Sequence, residues 1–173
     1  MNNRQTILQF IMFVVYILLQ VVFMRNVVLF NKAFSFVYIA FLLLIPLEAG
    51  ALSIMLLGFV TGFVIDIFYD SLGIHAASCV FIMFLRPYLV NLMTPIGGYD
   101  MGLIPTLKIM GLEWFSLYAF VMIFIHHLAL FFIEAGGFHM FWFTLSKVFF
   151  SSILTFIVII IIQYMFYSQR RGI

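Results

Sequence analysis

The chain has 173 residues, of which 66% are hydrophobic and only 8% charged, with a formal net charge of +2. A soluble domain carries about 25% charged residues, so this composition excludes an ordinary globular protein and points to an integral membrane protein, as does the mean hydropathy of +1.27. The lysines and arginines form no cluster, which argues against a nucleic-acid partner, and the single cysteine, Cys79, cannot form an intrachain disulfide and sits in no metal-binding pattern.

In chain order, residues 6–24 are almost wholly apolar and long enough to cross a hydrocarbon core of about 30 Å. This run lacks a small-residue cleavage site, so it reads as a retained span rather than a signal peptide. Gln9 and Gln20 are its only amides; they face neighbouring helices or mark the two interfaces. A second run, 31–47, is short for a span and needs Lys32 to snorkel. Pro46, Glu48 and Gly50 end it.

The third run, 51–69, places Gly58, Gly62, Asp66 and Asp70 at successive i+4 positions. On a helix of 3.6 residues per turn these drift by about 40° per step and share one face. Two glycines on that face invite close approach of another helix. Two acids at membrane depth are a functional-site hypothesis by default. Asp70-Ser71-Leu72-Gly73 reads as a tight turn, and His75 follows it, placed to cap the next helix or to meet Asp70.

The fourth run, 74–92, contains Arg86-Pro87, where the arginine can snorkel and the proline can kink or end the helix. Residues 94–113 are dense in turn formers, with Pro95, Gly97, Gly98, Asp100, Gly102, Pro105 and Gly111, and read as a loop, with room for a short interfacial helix after Pro105. The fifth and sixth runs, 113–133 and 142–167, each open on a tryptophan, Trp114 and Trp142, as interface anchors should. The expected fold is therefore an all-α membrane bundle of six transmembrane helices in one domain, 1–173, with spans near 6–24, 31–47, 51–69, 74–92, 113–133 and 142–167. Six spans put both termini on one side. Arg4, Lys108, Arg170 and Arg171 then make that side cytoplasmic and the Asp70–His75 turn external. If the second run does not span, the C-terminus moves to the other side.

Gly62-xxx-Asp66-xxx-Asp70 is similar to the second half of the metal-binding motif of CDP-alcohol phosphatidyltransferases. The first half of that motif supplies an earlier acidic pair, whereas Glu48 is the only acid before Asp66 here. A Mg²⁺ site of that kind is therefore not expected. His127 and Glu134 share a helix face, but their axial separation of about 10 Å is too large for two ligands of one ion. His126 and His127 are expected to hydrogen-bond to neighbouring helices. No nucleophile elbow is present, and Cys79 has no charged activator nearby in sequence. No catalytic residue, metal or cofactor is expected.

Gly62-xxx-Asp66, the aromatic step after it, and Asp70-Ser71-Leu72-Gly73-xx-Ala76 followed by an apolar helix resemble the signature of the rod shape-determining MreD family. The resemblance in hydropathy covers nearly the whole chain; the specific motif covers about 58–77. It implies a non-catalytic scaffold in the bacterial cytoplasmic (inner) membrane. The implied partners are an MreC-like protein and, through it, MreB, RodA and a penicillin-binding transpeptidase, in an assembly that directs lateral peptidoglycan synthesis. It also implies a fold resembling the energy-coupling-factor transporter S-components, the membrane subunits that bind vitamins. That supplies an alternative function, a substrate-binding subunit of a small-molecule transporter. Against it, the first 32 residues contain no alanine or glycine with which to dock a transporter. The residues expected to form a packing or partner-contact surface are Gly58, Gly62, Asp66, Asp70, Gly73 and His75.

Overall fold

The structure is a computed structural model that describes residues 3–30 and 32–165, with only the backbone for 3–5. Arg170, Arg171 and the last two residues of the sixth predicted span lie outside the described residues. Among the described residues five helical stretches are long and apolar enough to cross a membrane: Thr6–Met24, Ala51–Tyr69, Ile74–Leu92, Leu112–Glu134 and Phe141–Met165.

The first stretch is α1 (Asn3–Leu18), which widens at its end into a π-helical turn over Leu19–Met24. That turn closes with Arg25 N–H donating to Gln20 O at 2.8 Å, five residues back as a π turn requires, and Gln20 within it is buried. A two-residue hairpin follows, β1 (Val28–Leu29) antiparallel to β2 (Ala33–Phe34).

The second predicted span is not a helix of membrane length. After β2 the chain runs irregularly to a short helix, α2 (Ile39–Leu43), and ends at Pro46. Residues 36–45 are all buried. This is a correction to the six-helix expectation, and its reason is physical. An irregular backbone is tolerated at membrane depth only where protein, not lipid, satisfies its polar groups. Here the side chains of four surrounding helices do so. Ser151 Oγ accepts from Phe34 N–H and Thr155 Oγ1 from Phe36 N–H, both at 3.0 Å. Gln20 Nε2 donates to Ser35 O at 3.0 Å, and its Oε1 accepts from Tyr38 N–H at 3.4 Å. Tyr118 OH donates to Leu43 O at 3.2 Å, and Gln9 Nε2 to Leu44 O at 3.4 Å. Arg86 donates to Ile45 O through Nη2 and to Pro46 O through Nη1. Gln20 thus meets the start of the segment and Gln9 its end, so the segment runs antiparallel to α1.

The remaining helices wrap this buried strand of chain. α3 (Ala51–Tyr69) packs on α4 (Ile74–Leu92) as a tight antiparallel hairpin. α4 packs on α6 (Leu112–Glu134), and α6 on α7 (Phe141–Met165). α4 continues through Pro87 instead of ending there. Arg86 does not snorkel to solvent: it is 2% exposed, and its Nε donates to Tyr118 OH at 2.7 Å. The loop 93–111 contains α5 (Leu107–Met110), a single turn in which Thr106 Oγ1 accepts from Ile109 N–H and Gln163 Oε1 from Leu107 N–H. Trp114 Nε1 donates to Met93 O at 3.1 Å, tying this loop end to α6, while Trp142 stands exposed.

Candidate functional site

The α3–α4 hairpin brings the predicted residues together. A Cβ built on Gly62 would lie 2.4 Å from Ala76 Cα and 2.5 Å from His75 O, so only glycine allows this approach of backbones. A Cβ on Gly58 would lie 2.9 Å from Met83 Cγ and 3.0 Å from Cys79 O. Both glycines therefore face α4 of the same chain.

One turn further on, Asp66 is buried and reaches across the hairpin. Its Oδ1 accepts from Ser71 Oγ at 2.6 Å and from His75 N–H at 3.0 Å, and its Oδ2 accepts from Ala76 N–H at 2.9 Å. The first turn of a helix has N–H groups with no intrahelical partner. The residue at the cap position of α4 is Gly73, which has no side chain to offer. Asp66 supplies that cap from the neighbouring helix, where its charge also complements the positive end of the α4 dipole. Asp70 plays a different part. It ends α3 in the left-handed conformation (φ 54°, ψ 44°), which aspartate adopts more readily than most residues, and its side chain is exposed. Asp66 and Asp70 do not converge. Gly73, at φ 91°, completes the turn.

The His75 side chain turns away from Asp70 and into the bundle. Its Nδ1 lies 2.9 Å from Tyr38 OH, and the same hydroxyl lies 2.9 Å from His126 Nε2. Cys79 Sγ is 4.0 Å from that hydroxyl. The tautomers follow from what each group can satisfy. His126 Nδ1 is buried without a partner. A proton there would be an orphaned donor, the costlier kind of unsatisfied group. The proton therefore sits on His126 Nε2 and is donated to Tyr38 O. Tyr38 O–H in turn donates to His75 Nδ1, which leaves the His75 proton on Nε2. His127 belongs to another network: its Nδ1 is 2.7 Å from Ile123 O and its Nε2 is 3.2 Å from Thr155 Oγ1. Glu134 pairs with Lys147 at 3.0 Å and meets neither histidine. Among the described residues no group of three or more His, Cys, Asp or Glu side chains converges as a metal-ligand set.

His75 also lines a cavity of about 300 Å³ at the end of the bundle that carries the Asp70 turn. Its walls include Phe36, Tyr69 and Phe131, and Arg25 and Glu134 also line it. Phe36 packs edge-on against His75 with ring centroids 5.3 Å apart. Tyr69 OH accepts from Gln20 Nε2 at 2.6 Å, and its ring lies 5.6 Å from the Arg25 guanidinium carbon.

Sequence reasoning missed Tyr38, Arg25, Phe36 and the role of Gln20. Tyr38 and Phe36 lie in the run assigned to a spanning helix, so their meeting with α4 and α6 was hidden. The shortness of the apolar run between Lys32 and Pro46 is the sign in the sequence that it is not a regular span. No protein-family model matches the chain, and neither a curated protein nor a solved structure does.

Proposed function

We propose that the chain is a non-catalytic membrane scaffold of the MreD type, working in the cell-wall elongation assembly of a bacterial cytoplasmic membrane. The observation that carries this reading is that the residues of the resemblance form one interlocked unit. Gly62 admits the α4 backbone, Asp66 caps α4, and Asp70 and Gly73 make the turn between them. Such a hairpin is a rigid platform rather than a catalytic constellation. On its outward side a groove is floored by Gly73, Ala76 and Ala77 and flanked by Phe59 and Phe63. Small residues between bulky ones allow a partner helix to approach closely, and the partner we assign to it is the membrane helix of an MreC-like protein.

In this reading the chain crosses six times, five times as a helix and once irregularly through 33–46; α1 then begins and α7 ends on one side, which the distribution of basic residues makes the cytoplasmic one. The test is co-purification with an MreC-like protein. Ala77 is exposed in the groove, so Ala77→Trp is expected to abolish recovery of that partner while leaving the fold intact. Undiminished recovery by this variant would remove the groove as the contact. Recovery of no elongation partner by the unaltered chain would remove the scaffold reading altogether. The second reading, a small-molecule transport subunit, is favoured by one observation, the cavity beside His75; high-affinity binding of a vitamin by the purified protein would replace the first reading with it.

A further inference from the structure

We infer that the cavity beside His75 is a binding site for a small aromatic monocarboxylate, whichever of the two functions the chain serves. Three features of the cavity lead there. The first is its donor balance. His75 is 4% exposed; Nδ1 is committed to Tyr38, the one hydrogen bond of the ring among the described residues, which leaves Nε2, the nitrogen that carries the ring proton, to the cavity that the ring lines. Tyr69 O accepts from Gln20, so its own O–H is free to donate into the same space. The Arg25 guanidinium lies above the Tyr69 ring and forms no ion pair among the described residues. These are three donors, one of them cationic.

The second feature is charge. Among the described residues the only carboxylate lining the cavity, that of Glu134, is already paired with Lys147. Lys147 itself sits 4.5 Å from the Phe131 ring centroid and 5.1 Å from that of Phe34, two of the cavity's walls. The Asp66 carboxylate below is saturated by Ser71 and the first turn of α4. One positive charge, that of Arg25, is therefore left uncompensated, which suits a monoanion. A guanidinium takes a carboxylate in a two-point hydrogen bond.

The third feature is shape. The body of the cavity is aromatic, with Phe34, Phe36, Phe131 and the His75 ring around it. Aromatic rings favour edge-on and offset contacts with another ring. A volume of about 300 Å³ is at the lower end for small-molecule sites. A single ring with its carboxylate toward Arg25 satisfies donors, charge and walls together.

The test uses the purified full chain in phosphatidylcholine nanodiscs, with benzoate and its uncharged counterpart benzamide as probes and ligand-observed NMR titration as the readout. Saturable benzoate binding, at least about tenfold tighter than benzamide, is expected. Arg25→Gln, at an exposed position, is expected to weaken benzoate about tenfold without altering the melting temperature. Glu134→Gln releases Lys147 and is expected to tighten benzoate several-fold; a merely structural disturbance would weaken both variants alike. Equal affinities for the two probes, or benzoate binding indifferent to Arg25, would overturn the site. Phosphatidylserine in the nanodiscs is not expected to compete with benzoate; if it does, the carboxylate recognised is that of a lipid headgroup, and the assignment to an aromatic molecule is overturned. Loss of the site leaves the scaffold reading standing, because co-purification tests that separately.

Discussion

Asp66 is the residue on which the hairpin's turn depends. It is a carboxylate in the last turn of one helix that satisfies two N–H groups at the start of the next. Removing it leaves buried donors unpaired, and hydrogen bonds to a charged group contribute about 1.5–3 kcal/mol each. Asp66→Ala is expected to lower stability by about 3 kcal/mol, read as a reduced thermal midpoint in detergent. Asp66→Asn, which keeps an acceptor but turns an amide N–H₂ toward another donor, is expected to fall between the two. Asp70 should behave differently, because only its backbone conformation matters to the fold. Glycine relieves the left-handed strain and a β-branched residue increases it, by about 1–2 kcal/mol. Asp70→Gly is therefore expected to raise the thermal midpoint and Asp70→Val to lower it. If Asp70→Ala alone disrupted a partner complex at unchanged stability, the side chain would be addressing that partner.

At the level of elements, two contacts organise the molecule. In the α3–α4 hairpin, a methyl on Gly62 meets backbone atoms, which cannot move aside, whereas a methyl on Gly58 meets first the flexible side chain of Met83. Gly62→Ala is expected to cost more than the ordinary 1–3 kcal/mol of an overpacked core, and Gly58→Ala less; equal losses in an unfolding titration would contradict the close approach. The buried segment 33–46 depends on side chains that would otherwise be unremarkable polar residues in apolar helices. Thr155→Val keeps the shape but withdraws the acceptor of Phe36 N–H and the partner of His127. An expected loss of about 2 kcal/mol follows from the unsatisfied groups. These contacts also explain why the polar residues of the apolar helices were hard to interpret singly. In the sequence Gln9 and Gln20 read as interfacial or helix-facing and Arg86 as snorkelling, while Tyr118, Ser151 and Thr155 carry no signal of their own. Together they are the hydrogen-bonding cage of one irregular piece of chain.

For the whole molecule, the geometry puts Phe30 and Leu72 at one end of the bundle and Met101 at the other, since α4 separates Leu72 from Met101 and Gln20 of α1 meets Tyr69 of α3. All three are more than nine-tenths exposed, and Cys79 is fully buried. Single cysteines at Phe30 and Leu72 are expected to react with a membrane-impermeant maleimide on intact cells, and one at Met101 only after permeabilisation. The native thiol should give no background. The same site labelling pattern reversed would invert the proposed orientation.

The sequence by itself determined the class of protein and most of its elements. Runs of about 20 apolar residues can satisfy their backbones in lipid only as helices, so five of the six spans were legible from hydropathy. The i+4 spacing of Gly58, Gly62, Asp66 and Asp70 likewise marked one helix face, because that spacing is local geometry. What tertiary structure alone decided was the state of residues 32–47 and everything that segment touches. An apolar run surrounded by lipid must be helical, but one surrounded by hydrogen-bonding side chains need not be, and composition does not say which surroundings a run has. The α4 partners of Asp66, the tautomers of His75 and His126, and the cavity with Arg25 at its edge arise between residues 9 to 109 positions apart. No local pattern encodes such contacts, because they exist only once the helices have packed.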